Sequence, residues 1–79
     1  MLKDIREYIG SEEFEMNIKK NKINIINYKR IISISPTNIS ILSPTQKIVI
    51  TGTNLSLNKL LDEEILIVGK LQKIEVYDE

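Results

Sequence analysis

The chain contains no cysteine and no histidine. Disulfide staples are therefore excluded, and the common structural zinc sets built on Cys and His have no ligands. The usual nucleophile–base pairs of hydrolases, Cys–His and Ser–His, are missing for the same reason. Tryptophan is absent, and Tyr8, Phe14, Tyr28 and Tyr77 are the only aromatic residues. Net charge is absent too, with 11 basic residues against 11 acidic ones. That balance removes the electrostatic footprint of a nucleic-acid binder and of a polybasic membrane anchor. No apolar run approaches the ~18–20 residues of a membrane-spanning helix. The first ten residues, "MLKDIREYIG", are too charged for the apolar core of a secretory signal. These absences predict a cytoplasmic protein with no direct membrane insertion, no metal and no catalytic residues.

What is present is isoleucine at period two. Seventy-nine residues make a single domain, and a chain this short buries only about 60–65% of its unfolded surface. Without disulfides or a metal, self-association is the remaining way to add stability. A net charge of zero offers little resistance to it. The chain divides into an N-terminal arm, 1–12, and an antiparallel β meander, 13–77. In the arm, Leu2, Ile5 and Ile9 at helical spacing before Gly10 suggest a short helical turn.

Within the meander, each proposed turn predicts a register. Phe14, Met16 and Ile18 alternate with polar residues, and a loop at Lys20-Asn21 sets Ile18 opposite Ile23 and Met16 opposite Ile25. A loop at Pro36-Thr37, of two residues or three, pairs Ile34 with Ile39 and Ile32 with Ile41. A loop at Pro44-Thr45 pairs Ile41 with Ile48 and Ile39 with Ile50. Treating Gly52-Thr53 as a further two-residue loop pairs Ile50 with Leu55 and Ile48 with Leu57. All of Ile32, Ile34, Ile39, Ile41, Ile48, Ile50, Leu55 and Leu57 then share one face. The parity of the pattern breaks at "NYKR" (27–30), which must hold a bulge or a corner. "NKLLDEE" (58–64) ends one strand and begins another, and Gly69 is either a turn or a bend in a long strand. The expected architecture is an all-β meander sheet, or a partly closed barrel or sandwich, of about six to eight short strands.

Candidate chemistry is sparse. The acidic runs at Glu12, Glu13 and Glu15, at Asp62, Glu63 and Glu64, and at Asp78 and Glu79 fall at element ends. They read as solvated acids and not as an acid–base pair or a cation loop. "GTN" (52–54) lacks the spacing and the Lys-Ser/Thr of a phosphate loop, so Gly52 reads as a turn residue. Gly52, Asn54, Gly69, Pro36 and Pro44 are thus structural turn positions. Basic residues lie near Phe14 and Tyr28, but acids offset them. A small β-barrel that binds single-stranded nucleic acid or another ligand is the alternative reading. The leading one is an interaction surface on the outer face and the rim, drawn from Tyr28, Arg30, Leu42, Val49, Leu66 and Val68.

The segments "INYKRI" (26–31), "KIVITGTNLSL" (47–57), "EEILIVGKL" (63–71) and "KIEV" (73–76), in that order and spacing, resemble the YabP/YqfC family of sporulation proteins. The resemblance is closer to the YqfC-like branch and covers about residues 14–77. It rests on an Asn-aromatic-basic corner (Asn27, Tyr28, Lys29), an Ile-x-Gly-x-Asn-Leu segment (Ile50, Gly52, Asn54, Leu55), Glu63-Glu64-Ile65, and Gly69. What it implies is a non-enzymatic protein of the mother cell, at the forespore surface, acting in spore coat or envelope assembly through protein contacts. The implied partners are copies of itself, as a homo-oligomer, and a membrane-bound sporulation protein. The resemblance implies no cofactor and no nucleic acid.

Overall fold

The computed structural model describes residues 14–78, all of them strand, turn or connection. The N-terminal arm and its suggested helical turn lie outside the described residues. Six strands form one antiparallel sheet: β1 (Glu15–Lys19), β2 (Lys22–Ile26), β3 (Arg30–Ile34), β4 (Asn38–Leu42), β5 (Gln46–Leu61) and β6 (Glu64–Asp78). Their order is β1-β2-β6-β5-β4-β3. The fold is all-β, as the period-two pattern predicts. Two of the strands are long rather than short, however, and the meander is interrupted between β2 and β3.

The long β5–β6 hairpin organises the molecule. Straight, a 16-residue strand would run about 50 Å, yet the longest dimension of the molecule is 39 Å. The hairpin bends where the β5/β6 register shifts, between Thr51 and Ser56. One arm consists of β1, β2, the first part of β6 and the last part of β5. The other consists of β3, β4, the first part of β5 and the last part of β6. The two arms repeat one plan. The outer strands β1 and β3 share one burial pattern, and the inner strands β2 and β4 share another.

Three residues, 27–29, carry the chain from the far end of one arm to the far end of the other. The Asn27 amide donates to the Glu63 carbonyl at 2.7 Å, and the Lys29 amide donates to the Leu42 carbonyl at 2.7 Å. Two residues of chain cover at most ~7 Å, so the arms must lie face to face. "NYKR" is therefore a corner, made possible by Asn27 at φ 64°, a conformation asparagine tolerates. Between the arms lies a single core of Ile23, Ile25, Ile39, Ile41, Ile48, Ile50, Leu55, Ile65 and Ile67. Eight of these nine are β-branched, which suits a pleated, closely packed surface.

Three predicted registers hold. Ile18 faces Ile23 and Met16 faces Ile25, Ile39 faces Ile50 and Ile41 faces Ile48, and Ile34 faces Ile39. Ile32 does not face Ile41. It is the extra residue of a bulge between Ile31 and Ser33, so Ile31 takes the partner instead. The bulge thus takes Ile32 out of the core, and Ile34, although opposite Ile39, is exposed because β3 is an outer strand.

The larger correction concerns Gly52. It is not a hairpin loop but an interior residue of β5 opposite Leu71, and Leu55 and Leu57 do not fold back onto Ile50 and Ile48. Asn54, at φ 55°, makes a bulge in the same strand. Gly69, at φ 147°, provides the matching bend in β6. A Cβ on Gly52 would overlap the Lys70 carbonyl oxygen, and one on Gly69 would lie 2.7 Å from the Asn54 oxygen. Both would also come within 2.9 Å of Leu55 Cδ2, so the two glycines make room for that leucine at the crease. The bend leaves amides without ladder partners, and the short hairpins accept them. Gly69 N donates to Asn21 O, and Gly52 N donates to Thr37 O, each at 3.1 Å. Leu55 N donates to Pro36 O at 2.8 Å.

Pro36 and Pro44 do occupy turns, and the two turns share one design. Ser35 and Ser43 each place Oγ against the amide and carbonyl of the residue three further on, at 2.9–3.1 Å.

Candidate interaction surfaces

The sequence-predicted surface residues do not form one patch. Cross-strand pairing sets Arg30, Leu42, Lys47 and Tyr77 in a row on the outside of one arm, with Ser40, Val49 and Glu75 in the next row. Leu66 and Val68 lie on the outside of the other arm, opposite Asn24 and Asn58 and opposite Lys22 and Ser56. Tyr28 is half-buried at the corner, packs against the core, and donates from its hydroxyl to the Asp62 carbonyl at 3.3 Å. Its role in the structure is to close the end of the core.

Both outer faces are polar in character. On the first, Lys73 Nζ lies 3.9 Å from Glu75 Oε2. Glu75 also acts on Tyr77, accepting its hydrogen bond and adding a negative charge nearby. The phenol pKa is raised above the ordinary 10.0. On the second, Asn17, Lys19, Lys22 and Asn24 surround Leu66 in a shallow depression, and Asn24 Nδ2 donates to Glu64 Oε2 at 3.0 Å. Lys19 and Lys22 are directly opposite one another, an arrangement that like charges disfavour. Among the described residues no group of His, Cys, Asp or Glu could hold a metal ion, and no helix is long and apolar enough to cross a membrane.

Apolar surface and open strand edges lie elsewhere. Because each arm is four strands wide, each has two edges. Among the described residues, β1, β3, residues 56–61 of β5 and residues 70–78 of β6 lack a neighbouring strand on one side. Large apolar side chains are exposed beside these edges: Ile18 at 54%, Ile34 at 54%, Leu60 at 49%, Leu61 at 66% and Val76 at 50%. Sequence reasoning missed this set because their positions continue the core-facing alternation or fall at a strand end. The signal available in the sequence was "LLDEE" (60–64), two leucines running into three acids at a hairpin tip.

No protein-family model, no curated protein and no solved structure matches the chain.

Proposed function

We infer that this chain is a non-enzymatic assembly module that works by protein–protein contact, binding copies of itself, in the building of a spore coat or envelope. The observation that carries the contact role is the coincidence of open strand edges with exposed Ile18, Ile34, Leu60, Leu61 and Val76. An unpaired edge offers a row of amides and carbonyls to another chain. Large apolar side chains beside it supply the free energy of association, at roughly 25 cal/mol per Å² of apolar surface removed from water. The absence of His and Cys accords with a contact role rather than a catalytic one.

The sporulation setting rests on the resemblance of residues 14–77 to the YabP/YqfC family. In that setting the protein belongs to the mother cell, and a membrane-bound sporulation protein is its second partner. Deleting the gene in its source organism tests the assignment. The expected result is a defect in spore formation or in coat morphology that the intact gene restores. Spores of normal number and morphology would contradict it.

A further inference from the structure

We propose that copies of this chain join head to tail, the β5–β6 hairpin tip of one seating in a lysine-rimmed apolar groove beside the bend of the next. The proposal rests on the self-association reading above and names the surfaces that carry it.

The groove has a volume of about 250 Å³ and opens where β1 passes the part of β6 beyond Gly69. Ile18, Leu71 and Ile74 supply its apolar surface, and Lys19, Lys20 and Lys73 stand around it. Leu71 and Ile74 rest on the core from this side, so the groove is the side opening between the two arms. Ile18 faces inward, opposite Ile23, yet remains 54% exposed, since β1 is an outer strand and its free edge borders the groove.

The tip has the opposite charge and the same apolar content. Leu60 and Leu61 are 49% and 66% exposed, and Asp62 and Glu63 form the turn that follows them. Among the described residues neither carboxylate is in an ion pair, and neither are Lys19 and Lys20. Two leucines leading two acids complement an apolar floor beside lysines. The tip cannot serve its own groove, because it lies about 20 Å of strand beyond Gly69, pointing away from the bend. A second copy is the occupant that the charges and the geometry select.

Tip and groove are different surfaces, so the contact is heterologous. Repetition gives a ring if the rotation closes and a filament if it does not. Opposite charges at the rim set orientation and encounter rate more than affinity. The buried leucines carry the affinity.

The test uses the whole chain in analytical ultracentrifugation. Leu60→Ser with Leu61→Ser removes the tip, and Lys19→Glu with Lys20→Glu reverses the groove. All four positions are exposed, so folding should be retained, and circular dichroism verifies it. Each double variant alone is expected to need at least about tenfold more protein to associate than the wild type. Mixed together they should form dimers and nothing larger, because one intact tip meets one intact groove. A chain with Asp62→Lys and Glu63→Lys added to Lys19→Glu and Lys20→Glu should regain association. Wild-type association in both double variants would overturn the tip-and-groove contact while leaving self-association in place. A wild type that stays monomeric would overturn both.

Discussion

Replacing Gly69 by alanine should remove about half of the stability of this domain, although alanine is small and the site lies within a strand. At φ 147° an L-residue is strained, typically by about 1–3 kcal/mol. Its Cβ would sit 2.7 Å from the Asn54 oxygen and 2.9 Å from Leu55 Cα. Those are backbone atoms that no rotamer change can move, so overpacking adds roughly 1–3 kcal/mol. The total, about 2–6 kcal/mol, compares with a whole-domain stability of about 4–12 kcal/mol at 0.05–0.15 kcal/mol per residue. Urea denaturation followed by circular dichroism measures the loss. It should be done at one low protein concentration, since association adds to apparent stability. With a slope of about 1–1.5 kcal/mol per M, a 3 kcal/mol loss moves the midpoint by roughly 2–3 M. Thr53→Ala, at an exposed position of the same crease, is the control and should stay within about 0.5 kcal/mol. Equal midpoints for Gly69→Ala and Thr53→Ala would refute the bend as described.

Asn54 sits at φ 55°, so Asn54→Gly should be near neutral and Asn54→Val should cost about 1–2 kcal/mol in the same titration. Ser43 is buried, with its Oγ donating to Gln46 O at 3.0 Å and accepting from Gln46 N at 2.9 Å. Ser43→Ala should lose about 1–2 kcal/mol, more than Ser35→Ala in the equivalent but more exposed turn. Tyr77 should ionise above its ordinary pKa of 10.0 in a spectroscopic pH titration, and Glu75→Gln should bring the midpoint back toward that value. Because the folded-state pKa is the higher one, the stability from this contact is complete below the unfolded value and is lost as pH rises through the folded value. Leu42→Lys with Val49→Lys changes the outer face of one arm and should leave association unchanged by ultracentrifugation. Loss of association in a folded double variant would place the interface on that face instead.

The sequence exposed most of the core and misplaced one turn, and the two outcomes have the same origin. Alternation with β-branched residues locates Ile23, Ile25, Ile39, Ile41, Ile48 and Ile50 because each short hairpin leaves its period-two pattern intact. At Gly52 a two-residue loop and a one-residue bulge have the same effect on that pattern. Either one moves the inward positions from the even Ile48 and Ile50 to the odd Leu55 and Leu57. Burial therefore reads correctly there whichever geometry is assumed, while strand connectivity does not. What distinguishes them is the partner strand, since a 16-residue β5 requires a β6 of similar length with its own bend at Gly69. No local window contains both.

Ile32 shows the complementary failure. Its bulge lies inside an apolar run, "RIISI", in which Ile31 and Ile32 are chemically interchangeable, so composition cannot say which one faces the core. The open edges are not legible in the sequence because they depend on which half of each long strand a short strand covers: β4 pairs only with residues 47–51 of β5, and β2 only with residues 64–68 of β6.

Static light scattering of the whole wild-type chain over a dilution series decides whether this domain binds copies of itself. The weight-average mass should rise with concentration above that of the 9.1 kDa chain and change little as added salt screens the lysine and carboxylate groups. A constant monomer mass up to high micromolar concentration would contradict self-association.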